Sequence, residues 1–339
     1  MKIAITGGGT GGHLAIANSI AKELKNRNIE TIFIGSKNGQ DQMWFENSDL
    51  FNQKYFLDSK GVVNKKGFAK ILSLFKIINL AFECKKILRQ NQINAVFSVG
   101  GYSAAPASFA SVICKIPLFI HEQNAFMGRL NNLLKKYAKK IYSSYLEPKY
   151  DYPVDEIYFK TARYRDKLKT IIFLGGSQGA NFINELAKNL AERLLDQGYN
   201  VIHQCGNKNF EETRKFYRDN ELNVKVLGFH KEIYKYIASA DLAISRAGAS
   251  ALWELCANRL PTIFIPYPFA ANDHQNFNAK FLSDKNLAFV CKQEESSESK
   301  IYSLIKKVNI KKISHTLEKT ISQNGSKKIV DDVLKNLEN

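Results

Sequence analysis

The chain opens Lys2-Ile3-Ala4-Ile5-Thr6-Gly7-Gly8-Gly9-Thr10-Gly11-Gly12-His13 and repeats the device at Thr170-Ile171-Ile172-Phe173-Leu174-Gly175-Gly176-Ser177-Gln178-Gly179-Ala180. Each is a short apolar run, a glycine turn, and then a stretch whose apolar residues recur at helical spacing. After the first, Leu14, Ala17, Ala21 and Leu24 share a face; after the second, Ile183, Leu186, Leu190 and Leu194 do. Further apolar runs at 31–34 and 95–99, and at 201–204, 242–244 and 262–265, continue each half. Strand–helix alternation of this kind predicts parallel, doubly wound sheets. The fold class is therefore α/β, with two Rossmann-like domains expected to face a cleft and to bind ligands at the carboxyl ends of their strands. The pattern breaks around 150–165, where Pro148 and Pro153 intervene. Residues 1–157 and 158–326 are the expected domains, with 327–339 a C-terminal helix.

A chain of 339 residues suffices for two ordinary cores. Its five cysteines (Cys84, Cys114, Cys205, Cys256, Cys291) stand far apart without a C-x-x-C pair, which fits a reducing compartment and argues against structural zinc. No apolar run reaches the length of a membrane span without a charge, and the N-terminus meets its glycines before a signal-peptide core forms. A cytosolic protein is expected. The net charge of +17 asks for a partner or a reason. The basic residues form no recognisable nucleic-acid module, which leaves an anionic membrane surface or a compositional bias toward Lys and Asn.

A third stretch, Ser245-Arg246-Ala247-Gly248-Ala249-Ser250-Ala251-Leu252-Trp253-Glu254, follows an apolar strand with a small-residue turn and a helix start. Small residues let a ligand approach the backbone, and a helix start attracts anions. Glu254 then stands where it can accept hydrogen bonds from a ribose diol, the layout of a nucleotide-sugar pocket. Gly7, Gly9 and Gly12 satisfy G-x-G-x-x-G, but the second strand ends Phe33-Ile34-Gly35-Ser36 without the acid that an adenosine ribose needs. That argues against NAD, and no other cofactor is expected. No Asp-x-Asp occurs, so a metal–diphosphate clamp has no anchor and no metal is expected.

These segments resemble the GT-B glycosyltransferases, and within them the MurG family of peptidoglycan N-acetylglucosaminyltransferases. The resemblance rests on Thr6–His13 (TGGGTGGH), Gly100-Gly101-Tyr102 with Pro106, His121-Glu122-Gln123-Asn124, Gly175–Ala180 (GGSQGA), and the segment 245–279. It implies inverting transfer of N-acetylglucosamine from UDP-N-acetylglucosamine to the muramyl 4-hydroxyl of undecaprenyl-pyrophosphoryl-muramyl-pentapeptide (lipid I), giving lipid II. The donor is expected on the second domain and the acceptor on the first. The implied setting is peripheral, on the cytoplasmic face of the bacterial membrane, with other cell-wall synthesis enzymes as further partners and no nucleic acid. The rival readings are another UDP-sugar enzyme of the same fold, such as a UDP-N-acetylglucosamine 2-epimerase, and a catalytically idle nucleotide-sugar-binding subunit.

On the donor side, Ser177 and Gln178 precede a helix whose positive end suits the diphosphate of departing UDP. The same turn is also what tight strand–helix packing requires. By resemblance, Glu254 binds the uridine ribose, Ala249, Ser250 and Ala251 line the nucleotide pocket, and Gln275 and Asn276 meet the sugar; His230 belongs to the same binding set. The family's Gly-Asn-Pro-Val-Arg run is here Lys160-Thr161-Ala162-Arg163-Tyr164-Arg165, so the donor arginine is either Arg163 or Arg165, or neither.

On the acceptor side, Thr10, Gly11 and Gly12 suit a diphosphate, with Gly100-Gly101-Tyr102 as a second wall. The base that takes the hydroxyl proton is His13 or Glu122, and Asn124 is to bond the donor sugar or the acceptor. Two features depart from the family: roughly four residues after His13 are missing, about one helical turn, and Ser98 replaces a glycine. From Phe68 onward, Ile71, Phe75, Ile78 and Phe82 form one helical arc and Leu74, Ile77, Ala81 and Leu88 another. One arc docks on a sheet; the other, edged by Lys65, Lys66, Lys70, Lys76, Lys85 and Lys86, either meets a membrane or packs on a second neighbour. Arg129, Lys135, Lys136, Lys139 and Lys140 form a second basic cluster.

Overall fold

The computed structural model describes residues 1–61, 67–176 and 179–338. The chain divides into two compact units, Met1–Val154 with Asn324–Asn339, and Asp155–Gln323.

The first unit holds strands β1 (Lys2–Thr6), β2 (Glu30–Ser36), β3 (Gln53–Leu57), β4 (Ala95–Ser98), β5 (Leu118–Glu122) and β6 (Lys140–Ser143). They form a six-stranded sheet in the order β3-β2-β1-β4-β5-β6, every pair parallel. The helix Gly11–Asn26 follows β1 and buries Leu14, Ala17, Ala21 and Leu24, the face that the apolar spacing marks. The helix Gly67–Gln90 packs on the helix Ala105–Cys114. It buries Ala81, Cys84, Ile87 and Leu88 in the core shared with Ala4, Ile32, Val96 and Ile120. Its other arc stays in solvent: Phe75 is 62%, Ile78 50% and Phe82 51% exposed. At these three positions the helix is not buried against a second neighbour. The helix Gly325–Glu338 packs on the helix Gly11–Asn26, with Asp331 paired to Arg27 at 2.6 Å and Asp332 to Lys140 at 2.8 Å.

The second unit repeats the plan with β7 (Thr170–Leu174), β8 (Asn200–Gln204), β9 (Lys225–Leu227), β10 (Leu242–Ser245), β11 (Thr262–Phe264) and β12 (Phe289–Val290). The order is β12-β11-β10-β7-β8-β9, again all parallel. Numbered within the unit, this is the same strand order as the first sheet. The helix Asn181–Asp196 buries Ile183, Leu186, Leu190 and Leu194. Both sheets reverse direction beside their first strand, so each unit has one switch point where ligands bind in such folds. In the first it lies between β1 and β4, in the second between β7 and β10.

Candidate functional site

At the switch point of the second unit, Leu174 pairs with Ser245, so the turns beginning at Gly175 and Arg246 leave the sheet side by side. The helices Asn181–Asp196 and Ala249–Ala257 start from these turns, and neither start has a side-chain cap. Their backbone N–H groups thus face the carboxyl edge of the sheet, an arrangement that favours an anion. The glycines divide into two kinds. A Cβ at Gly179 would lie 2.3 Å from the Cys205 carbonyl oxygen and one at Gly175 2.9 Å from the Ala180 nitrogen, so these two serve packing. A Cβ at Gly176 or Gly248 would meet nothing within 4 Å. Gly248 has an ordinary φ of −63°, so its missing side chain leaves room above the backbone without relieving strain. Ser177 and Gln178 fall outside the described residues.

Around this opening, Ala249 and Ser250 are buried in the first turn of their helix. Glu254 follows on the same helix, and its carboxylate accepts the Tyr158 hydroxyl. Burial raises the Glu254 carboxyl to about 7, helped by Asp155 and opposed by the Tyr158 bond. Gln275 turns its Oε1 to the N–H of Ala247 at 3.2 Å and of Tyr267 at 2.9 Å, tying the glycine turn to the loop after β11. Asn276 donates to Asp273 at 2.5 Å. His230 lies just beyond β9, where its Nδ1 accepts the Glu232 N–H at 3.1 Å. Arg246 donates to the carbonyls of Ile265 and Pro266 and to Gln293, which fixes the start of that same loop.

The two linker arginines point elsewhere. Arg165 is fully buried and spends five N–H groups on five acceptors: the carbonyls of Ala240, Arg163, Asn258 and Ile237, and Asn258 Oδ1. Arg163 donates to the carbonyls of Ala238, Ser239 and Ala240 and pairs with Asp241 at 2.6 Å. Both cap the carboxyl end of the helix Ile233–Ser239, where positive charge is favourable. In this arrangement every Arg165 N–H is already taken, and Arg163 is turned onto the helix end.

In the first unit the glycine run is closed rather than open. A Cβ at Gly7 would lie 2.4 Å from the Gly100 carbonyl, one at Gly101 2.2 Å from the Gly8 carbonyl, and one at Gly9 2.4 Å from the Tyr102 ring. The two glycine loops pack backbone on backbone, with Gly8 N–H donating to Gly100 O. The Gly9 N–H is taken by Asp41, a fully buried carboxylate that also accepts Ser36 N–H at 2.8 Å. Ser98 keeps its hydroxyl within the loop, accepting the Gly100 N–H. What remains for an anion is the helix start at Thr10, Gly11 and Gly12.

His13 stands in the first turn of that helix. Thr10 Oγ1 lies 3.0 Å from its Nδ1 and Gln123 Nε2 2.8 Å from its Nε2, so both ring nitrogens are engaged. Gln123 reaches it because β5 ends beside β4, which carries 121–124 to the carboxyl edge. Glu122 is buried and accepts from Asn124 N–H at 3.0 Å, Gly128 N–H at 2.9 Å and Asn131 Nδ2 at 2.8 Å. Burial raises its carboxyl, while those three donors pull the other way. It braces the loop that carries Asn124. Of the second basic cluster, Lys139 donates to the Asn336 carbonyl and Lys140 pairs with Asp332, so the C-terminal helix occupies both. Lys65 and Lys66 fall outside the described residues.

Sequence reasoning missed Asp41, Gln123 and Tyr158. Gln123 sits inside a quoted motif, whereas Asp41 and Tyr158 are lone polar residues without a local pattern. Among the described residues no group of three or more His, Cys, Asp or Glu side chains is placed to hold a metal ion.

Residues 3–143 match the glycosyltransferase family 28 N-terminal domain and residues 170–335 the family 28 C-terminal domain. A Campylobacter hominis protein named UDP-N-acetylglucosamine–N-acetylmuramyl-(pentapeptide) pyrophosphoryl-undecaprenol N-acetylglucosamine transferase is 58% identical, over 100% of this chain and 99% of its own. A protein of the same name from Campylobacter fetus subsp. fetus is 56% identical over 98% of this chain and 99% of its own. The crystal structure of Acinetobacter baumannii MurG superposes with a TM-score of 0.78 at 28% identity, covering 98% of this chain and 99% of that one.

Proposed function

The chain belongs to glycosyltransferase family 28, in its MurG branch, and from that premise we propose that it is the inverting N-acetylglucosaminyltransferase that converts lipid I to lipid II. The donor is UDP-N-acetylglucosamine and the acceptor oxygen is the muramyl 4-hydroxyl. The observation that carries this reading is the opening at the second switch point, where Gly176 and Gly248 face empty space beside two uncapped helix starts.

There the diphosphate of UDP lies against the helix starts and Glu254 accepts from the ribose. The helix ends stabilise the charge that builds on UDP as the bond from the sugar C1 breaks. Gln275 and Asn276 sit on the loop after β11 for the sugar. On the first unit, Thr10, Gly11 and Gly12 meet the acceptor diphosphate. We assign the base to His13 over Glu122, because three donors already occupy the Glu122 carboxylate. In the resting arrangement both His13 nitrogens are engaged, so Gln123 or Thr10 must give way for the hydroxyl to reach a lone pair. The exposed arc Phe75, Ile78 and Phe82 rests on the anionic cytoplasmic face of the membrane, which brings the enzyme to a lipid substrate; among the described residues no helix is long and apolar enough to cross a membrane.

The test is transfer of radiolabel from UDP-N-acetylglucosamine to a short-chain lipid I analogue, with UDP-galactose and UDP-glucose as competing donors. Transfer from the N-acetylglucosamine donor alone is expected, and His13→Ala should lower kcat by roughly 10²–10⁴. Tight UDP binding without transfer would move the assignment to another acceptor or to an idle binding subunit.

A further inference from the structure

We propose that Tyr158 is the positioning residue for the ribose-binding carboxylate of Glu254, and that Asn258 and Arg165 hold Tyr158 in place. The inference rests on the reading of Glu254 given above. Tyr158 lies on the short helix Glu156–Lys160, is 8% exposed, and donates its hydroxyl to the Glu254 carboxylate. One carboxylate oxygen is thereby directed, which leaves the other, and the remaining lone pairs of the first, for a diol.

The support runs behind the tyrosine. Asn258, buried at the end of the helix that carries Glu254, donates its Nδ2 to the Tyr158 carbonyl at 3.0 Å and to Thr161 Oγ1 at 3.2 Å. Arg165 clamps Asn258 from the far side, at its carbonyl (2.6 Å) and at its Oδ1 (2.7 Å). The guanidinium has no carboxylate among these five partners, and burial lowers its pKa to about 9. A charge buried at that cost is better explained by orientation than by net stability. The linker arginine thus acts on the donor site from behind, through Asn258 and Tyr158.

The ionisable groups that bear on Glu254 are Tyr158 and Asp155. On the neighbouring helix His274–Ser283, Phe281 packs against Trp253. The Tyr158 bond favours the ionised carboxylate, so its loss should leave Glu254 protonated to higher pH.

The experiment measures UDP binding by calorimetry on the full chain at pH 6, 7 and 8, for the wild type, Tyr158→Phe, Glu254→Gln and the double variant. Tyr158→Phe should weaken UDP by at least about 10-fold at pH 7, the worth of one hydrogen bond to a charged group, with much of the loss recovered at pH 8. The double variant should bind no worse than Glu254→Gln. If Glu254→Gln leaves UDP binding unchanged, the ribose reading of Glu254 is wrong and this inference goes with it. If Glu254→Gln weakens binding but Tyr158→Phe shows neither the loss nor the pH shift, the positioning role alone fails.

Discussion

The carboxylate of Asp41 accepts the backbone N–H of Gly9, and no surface of that carboxylate reaches solvent. An acidic side chain therefore sits beneath the glycine turn, where a dinucleotide fold of the same strand order would present the backbone to a phosphate. Its second oxygen takes the Ser36 N–H at the end of β2. The turn is held shut from within by this carboxyl group, so the Gly9 N–H is not free to meet a phosphate.

Asp41→Ala should cost roughly 2–4 kcal/mol, because it leaves two backbone N–H groups without their acceptor. Denaturant unfolding of the full chain, followed by a probe in the first unit, measures it. An unchanged midpoint would mean that the loop re-satisfies those groups by itself.

On the proposed reading of Glu254 as the ribose acceptor, donor binding depends on pH. The Glu254 carboxyl is raised from an ordinary 4.5 to about 7 in the fold. A raised value means that the contribution to stability is complete below pH 4.5 and is lost as pH rises through about 7. Glu254→Gln should flatten that part of the ligand-free stability profile. In the wild type, UDP affinity should rise over the upper part of the window as the carboxylate ionises. A wild-type affinity that is level from pH 6 to 8 would refute the link.

Phe75 and Phe82 lie on an exposed arc and in none of the candidate binding sites. The double substitution Phe75→Glu with Phe82→Glu should weaken sedimentation with anionic vesicles by at least ~10-fold, given the apolar area two phenylalanines bury. Transfer to a water-soluble acceptor analogue should stay near wild type. Charge reversal at Lys65, Lys66 and Lys70 should weaken the same binding in a salt-dependent way. Vesicle binding unaffected by either set would remove the membrane role.

Transfer should continue at full rate in excess EDTA if, as proposed, the uncapped helix starts at Asn181 and Ala249 meet the diphosphate in place of a metal ion. Strict dependence on a divalent ion would show that those helix ends do not suffice.

Much of this was legible in the chain. The apolar faces of the helices Gly11–Asn26 and Asn181–Asp196 are the ones their 3.6-residue spacing marks. Both glycine turns stand at the ends of first strands, as their position after apolar runs requires. The strands at Gln53–Leu57, Lys140–Ser143 and Lys225–Leu227 were not legible, because they are short or edge strands that mix polar with apolar residues. Arg165 shows the same boundary at a single residue. From the sequence it is an arginine near a lost motif; in the fold it is a buried clamp on two helix ends.

Period, composition and turn chemistry are local, and they determined from the sequence alone that two doubly wound sheets form and that each bears a glycine turn. Which turn is open is a matter of what packs against it, and only the tertiary structure decided that. Gly7, Gly9 and Gly101 are filled by a facing loop, a ring and a carbonyl, while Gly176 and Gly248 meet nothing. The occupants of the closed turn come from Asp41, Gly100 and Tyr102, residues brought to it by strand order and not by sequence spacing.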